Sequence, residues 1–288
     1  MVVNMDPGND RIPYPCSIDV KNLISWEMVM EERKIGPNAA LLYCMEYIEQ
    51  HIDWLFEQMD AFPEFYFILD CPGQVEITTD HPSLRNILKK LEKRKFNMVS
   101  IHLVDSLYCS EPYKYISAVL LCLKVMAFLE FPHLNVLSKI DILPQLHFNL
   151  SYYTEVMDLD YILDHLNNDF STKKYQRLNK AICEMISDFS LVSFQTLAIE
   201  DKDSVTKLLG EIDKANGFVF GADVIGNESI FQTANSSMNN NQYFIYLIAG
   251  IFLKWRKNTQ IMNKIVNNWR QGAWILIPNP WLKGTFAI

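Results

Sequence analysis

The chain predicts an α/β fold built on a parallel sheet with flanking helices. Short apolar, β-rich runs recur at 65–69, 98–104, 134–137 and 191–197, and helical patterns lie between them. Strands alternating with helices build βαβ units, because a parallel strand pair needs a crossover of about a dozen residues or more. Acid-bearing turns follow several of these runs, and open α/β sheets take their ligands beyond the C-terminal ends of the strands.

In chain order, Val2-Val3 reads as a short strand leading into Asn4-Met5-Asp6-Pro7. Leu41, Leu42, Met45, Ile48, Ile52 and Leu55 recur at helical spacing and predict one long helix over 38–60. The run 65–69 predicts a buried strand. Leu84, Ile87, Leu88 and Leu91 line one face of the next helix, and Lys89, Lys90, Lys93 and Arg94 give it a solvated basic side. A strand over 98–104, an apolar helix over 113–129 and a strand over 134–137 follow. A helix over 175–189 carries Leu178, Ile182, Met185 and Ile186 on one face, and the last strand is 191–197. Composition breaks near residue 222. The reading is one domain over 1–221 and an atypical tail over 222–288, poorly ordered, with Asn239-Asn240-Asn241, Trp255, Trp269, Trp274 and Trp281.

At 288 residues and 49% hydrophobic, the chain can build a core, and its net charge of −8 argues against broad binding to nucleic-acid phosphate. The six cysteines show no C-x-x-C and suit a reducing compartment, and the six histidines make no zinc-binding spacing. The opening residues lack the basic and apolar regions of a signal peptide, and the apolar run 243–253 is too short to span a bilayer.

Asp70-Cys71-Pro72-Gly73-Gln74 carries the most chemistry. A strand ending in Asp-x-x-Gly is where P-loop nucleotidases set a carboxylate near Mg²⁺ and a Gly N–H against the γ-phosphate. Asp70 fits the Mg²⁺ position, Gly73 the phosphate contact, and Gln74 the orienting of the attacking water. The plain alternative is a strand followed by a Pro-Gly turn. Ser138-Lys139-Ile140-Asp141 resembles the guanine-reading Asn-Lys-x-Asp of GTPases, with Ser in the first place. A single carboxylate at Asp141 can accept from both guanine N1–H and N2–H₂, and Lys139 can lay its aliphatic stem along the base. A polar capping loop is the alternative. Asp6 fits either Mg²⁺ or the hydrolytic water, against an Asp-Pro turn. As local chemistry, Gly36-Pro37-Asn38 is a turn in which Asn38 caps the following helix. Asp105 either faces the ligand crevice or caps a turn, and Ser193-Phe194-Gln195-Thr196-Leu197 passes near the base.

Taken in order, these motifs resemble the GPN-loop GTPase family. The likeness also rests on Leu41-Leu42-Tyr43-Cys44-Met45-Glu46-Tyr47, His102-Leu103-Val104-Asp105-Ser106, the run from Phe148 to Val156, and Asp213-Lys214-Ala215-Asn216-Gly217. It covers residues 1 to about 221. It implies a P-loop-type GTPase binding GTP/GDP with Mg²⁺, in which Asp6, Gln74 and Asn38 are catalytic and Asp70 holds the metal. Gly36, Pro37, Asn38, Gly73, Ser138, Lys139 and Asp141 bind nucleotide. The Gly-Pro-Asn loop reaches the phosphates across a dimer. Other GPN-loop GTPases as homo- or heterodimer partners, and RNA polymerase II and III subunits or assembly factors, are the implied partners, without direct nucleic acid or membrane binding. The implied setting is the cytoplasm, with shuttling to the nucleus, and the implied role is polymerase assembly and nuclear import.

No G-x-x-x-x-G-K-[ST] occurs in the sequence. Set against the family, the chain reads as lacking the first strand, the phosphate loop and the first helix, as in an incomplete gene model or splice form. That first strand is central in the family's sheet, so its neighbours are expected to be left unpaired. Three readings stay open: a GTPase impaired in phosphate binding, a non-catalytic dimerisation protein, and a fragment that does not fold alone.

Overall fold

The computed structural model describes residues 1–62, 65–143, 149–156, 159–168, 173–217 and 243–250. Its elements are β1 (Val2–Asn4), β2 (Ile18–Asp19), α1 (Trp26–Arg33), α2 (Pro37–Gln50), α3 (Ile52–Asp60), β3 (Phe67–Asp70), α4 (Val75–Thr79), α5 (Pro82–Lys93) and β4 (Phe96–Asp105). After these come α6 (Pro112–Leu129), β5 (His133–Ser138), α7 (Leu150–Glu155), α8 (Asp160–Asn168), α9 (Gln176–Phe189), β6 (Phe194–Leu197), α10 (Lys202–Ala215) and β7 (Tyr243–Gly250). The strands form one 7-stranded sheet in the order β2-β1-β3-β7-β4-β5-β6, and every pairing is parallel. The α/β class with a P-loop-type parallel sheet is therefore present.

Alternation along the strands divides the core. Val3 and Leu69 join α2, α3, α5 and the end of α6 on one face, while Val2 and Ile68 join Val205, Leu208 and Ile212 of α10 on the other. Helix α6 carries apolar residues from end to end because it serves two clusters. Val125 and Leu129 enter the first, and Tyr115, Val119 and Cys122 pack with α8 and α9 in a second. Between those clusters runs a polar seam. Ser100 and His102 of β4 stand level with His133 and Asn135 of β5, all on the α6 side.

The central slot departs from the expectation of unpaired neighbours. Tyr243–Gly250, from the stretch expected as a tail, lies between β3 and β4. It pairs 245–248 with Phe67–Asp70 and its full length with 96–103. Two inward edges present rows of N–H and C=O groups that a buried sheet must satisfy, and an apolar strand supplies the partners. The rest of that stretch, 222–242 and 251–288, lies outside the described residues, including the Asn run and the four tail tryptophans. So do residues 144–148, with the Phe148 that opens one motif of the likeness.

The single helix expected over 38–60 is two helices, broken at His51, whose backbone (φ −106°, ψ 37°) is not helical. Nor is Asn38 the cap of α2. Gly36 holds the cap position with extended backbone, Pro37 opens the first turn, and Asn38 sits inside it. Proline suits that first position because its missing N–H would have no helical partner there. On α9 the expected apolar face is only part inside: Ile186 and Cys183 are buried, and Leu178 and Met185 are exposed.

Candidate functional site

Parallel strands bring their C-terminal ends to one edge, and that edge collects the chemistry. Asn4 of β1 is level with Asp70 of β3, and the Met5 N–H donates to the Asp70 carbonyl at 2.8 Å. Asp105 of β4 is level with Ser138 of β5. Ile101 stands level with Asp70 through Ile248, so the β4–β5 tips project four residues beyond it. With β7 and β4 between them, β3 and β5 are about 14 Å apart across the sheet. Asp6, Asp70 and Asp141 thus line one edge rather than separate faces.

The β1–β3 half is tightly hydrogen-bonded. The Asn4 side chain donates to the Asp6 carbonyl at 3.1 Å and to Asp19 Oδ1 at 2.8 Å, and its Oδ1 accepts from the Asp6 N–H at 3.2 Å. Asp6 is 1% exposed, and its Oδ1 accepts from the Gly8 N–H at 2.9 Å. A Cβ at position 8 would lie 3.4 Å from that oxygen and 3.9 Å from the Trp26 ring, which is ordinary van der Waals contact. Asp6 therefore shapes its own turn. Asp70 is largely buried, and its Oδ2 accepts from Tyr14 Oη at 2.5 Å. Burial pushes the Asp70 carboxyl up, and the tyrosine bond partly opposes that shift. Burial and the facing carboxylate push the Tyr14 hydroxyl far up, so it stays a donor.

Beyond Asp70 the chain turns through buried Cys71 and Pro72 to half-buried Gly73 and Gln74. Gln74 Nε2 donates to Asn38 Oδ1 at 3.1 Å. This contact brings the Gly-Pro-Asn turn, 36 residues away in sequence, onto the Asp-x-x-Gly loop. Gly36, Pro37 and Asn38 are themselves exposed.

In the β4–β5 half, Ser138 is buried and its Oγ donates to the Val104 carbonyl at 3.0 Å. Lys139 adopts a left-handed backbone (φ 59°), and its Nζ donates to Asp105 Oδ2 at 2.6 Å. Asp105 Oδ1 accepts from the Leu107 N–H at 3.0 Å, so it caps a turn and faces the edge loop at once. Asp141 is exposed in the single 3₁₀ turn that follows. The structure brings Asn38, Asp70 and Gln74 together in one half and Ser138, Lys139 and Asp141 in the other.

A model for a family described as a conserved hypothetical ATP-binding protein matches residues 1–218. The GPN-loop GTPase 2 of Danio rerio is 46% identical over 224 residues, which is 77% of this chain and 72% of that protein. This chain belongs to the GPN-loop GTPase family. The GPN-loop GTPase 2 of Saccharomyces cerevisiae is 44% identical over 244 residues, 81% of this chain and 70% of its own. The Arabidopsis thaliana GPN-loop GTPase QQT1 is 40% identical over 268 residues, 91% and 89% of the two chains. In three dimensions the chain resembles a GTPase from Pyrococcus abyssi solved in its apo form, with TM-score 0.58 and 21% identity over 73% of this chain and 84% of that one. At that identity the likeness speaks for the fold.

Sequence reasoning missed one residue of this GPN-loop edge and one contact of another. Tyr14 sits in Pro13-Tyr14-Pro15, a stretch with no local sign of the carboxylate it meets. Asp105 was noticed, but its bond to Lys139 spans 34 positions. Mg²⁺ suits the donor set of this GPN-loop chain. Among the described residues no cluster of three or more His, Cys, Asp or Glu could hold a metal. One hard, half-buried carboxylate at Asp70 matches an ion that takes one or two carboxylates and draws its other ligands from phosphate and water.

Proposed function

We propose that this chain is a guanine-nucleotide-binding GTPase of the GPN-loop family, with a weakened hold on the phosphates. The observation that carries this reading is the single edge shared by Asp70, the Gln74–Asn38 pair and the Lys139–Asp141 loop. Each supplies a part the hydrolysis needs. Asp141 accepts from the two donors of guanine, which adenine lacks. Gln74 orients the attacking water, and Asn38 holds the Gln74 amide in place. Asp6 keeps the β1 turn closed against Gly8, beside the same tip. Asp70 would hold Mg²⁺, which when bound offsets the charge of the phosphates. Transfer to water depends mostly on such positioning and on electrostatics.

The weak part is the phosphate cradle. The strand filling the central slot ends at Gly250 and is followed in sequence by Ile251-Phe252-Leu253-Lys254, and no G-x-x-x-x-G-K-[ST] stands anywhere in the sequence. The backbone N–H nest and the lysine that such a loop aims at the β- and γ-phosphates are the main source of triphosphate affinity. Calorimetry with a slowly hydrolysed GTP analogue and Mg²⁺ is the test. No binding at micromolar concentration is expected, and micromolar affinity would overturn the impairment.

The exposed Gly36-Pro37-Asn38 corner favours a second reading, in which this chain is a non-catalytic partner that offers its loop to another subunit. Co-purification with an intact GPN-loop relative, without turnover by this subunit, would support it. The wider role we propose is assembly and nuclear import of RNA polymerase II and III, from a cytoplasmic pool and in dimers with other GPN-loop GTPases. It is supported by the family likeness.

A further inference from the structure

We propose that Asp105 is a positioning residue that fixes the guanine-reading loop by holding Lys139. The inference rests on the guanine reading of Asp141 given above. Lys139 has a left-handed backbone (φ 59°), a conformation that costs a non-glycine residue about 1 kcal/mol or more and persists only where its surroundings enforce it. Three contacts from the tip of β4 enforce it. Asp105 Oδ2 accepts from Lys139 Nζ at 2.6 Å, Ser106 Oγ donates to the Lys139 carbonyl at 3.0 Å, and Ser138 Oγ donates to the Val104 carbonyl at 3.0 Å.

The acid itself is held at both oxygens. Its second oxygen accepts from the Leu107 N–H, and the side chains of the Lys139–Asp105 pair are only 22% and 10% exposed. A pair this sheltered is little screened and holds a defined geometry, unlike a surface ion pair. With its ammonium drawn to β4, Lys139 leaves its aliphatic stem to line the base. Asp141 is carried two residues on, in the turn that starts from Lys139. The direction in which Asp141 points is thus inherited from the backbone that Asp105 and Ser106 pin.

The test measures base preference on the full chain, with GDP, ADP and xanthosine diphosphate at millimolar concentration in competition by ligand-observed saturation-transfer NMR. Asp105→Asn keeps a carbonyl for the Leu107 N–H and removes the anion. It is expected to lower the GDP-over-ADP affinity ratio about tenfold, the size of one charge-assisted hydrogen bond. Lys139→Met is expected to lower the ratio equally, and the double variant no further. Asp141→Asn checks the underlying reading: it should move preference from guanine to xanthine, whose 2-oxo group accepts from an amide. If that switch occurs while Asp105→Asn and Lys139→Met leave the ratio unchanged, the positioning role is overturned and the guanine reading stands. If the unaltered chain does not distinguish GDP from ADP, both are overturned. Should Asp105→Asn fail to fold, Lys139→Met carries the test from the more exposed side of the same pair.

Discussion

Gln74 donates its amide to Asn38 Oδ1 across 3.1 Å, and this bond ties the turn that opens α2 to the loop that leaves β3. It lies at an exposed corner, so its net contribution to folding is small, within about 1 kcal/mol. Its proposed value lies in orientation. Asn38→Ala and Gln74→Leu should each leave the melting temperature nearly unchanged. Each should lower single-turnover phosphate release at millimolar GTP, and the double variant should be no slower than the worse single one. Additive losses would show that the two side chains act independently.

The Tyr14–Asp70 bond sits deeper and predicts a trade between stability and function. Burial raises the Asp70 carboxyl, so the folded state binds its proton more tightly than the unfolded chain does. A raised carboxyl favours folding at low pH, and that contribution is lost as pH rises through the folded value. At neutral pH the ionised Asp70 is therefore a burden relieved by its one strong donor. Asp70→Asn should raise the unfolding midpoint at pH 7 and abolish Mg²⁺-dependent nucleotide binding. Tyr14→Phe should lower stability at pH 7 by roughly 1.5–3 kcal/mol. The deficit should shrink as pH falls and Asp70 takes up its proton, because the protonated acid no longer needs the bond. Urea unfolding at neutral and acid pH reads these differences.

Much of this was legible in the sequence, and what was not has physical causes. The apolar runs at 65–69, 98–104 and 134–137 became β3, β4 and β5 because a doubly covered parallel strand is apolar on both faces. The motif residues followed, since strand tips share one edge whatever the details of packing. The break at His51 was hidden because apolar spacing continues across it on both sides. Asn38 was misplaced as a cap because Gly-Pro starts the helix two residues earlier, with Gly36 in the cap position. Helix α10 carries Val205, Leu208 and Ile212 at helical spacing and could have been found by that signal. Tyr14 could not: a contact 56 residues apart leaves no mark in either local stretch.

The polar seam predicts acid sensitivity. His102 and His133 pack edge to face with ring centroids 5.8 Å apart, and His133 Nε2 meets Asn135 Oδ1 at 3.2 Å. Burial pushes His102 down to about 4, and burial with its neighbour pushes His133 down to about 3. Both are therefore neutral in the fold near pH 7. A base with a depressed folded value loses stability as pH falls below its unfolded value, here the ordinary 6.5. Between about pH 6 and pH 4 each ring should cost up to about 1.4 kcal/mol per pH unit. Denaturant midpoints across that range should fall steeply, and His102→Gln with His133→Gln should flatten the slope. A flat profile in the unaltered chain would contradict the neutral pair.

The last prediction concerns the strand at the centre of the sheet. β7 joins β3 and β4 by parallel pairing along both of its edges, and without it those two strands would each keep a row of inward backbone groups. A buried N–H or C=O left unpaired costs about 1–3 kcal/mol, against a total stability of roughly 5–15 kcal/mol for a typical domain. The slot spans 243–250, so the groups orphaned along both neighbouring strands would together rival the whole stability of the fold. Leu247→Pro tests this with one change. Proline has no N–H to donate and is excluded from the middle of a sheet. The variant should lose the cooperative melting transition in far-UV circular dichroism and become open to proteolysis on both sides of the slot, within 65–70 and 96–105. A Leu247→Pro protein that melts cooperatively near the unaltered temperature would mean that β3 and β4 satisfy their inner edges without Tyr243–Gly250.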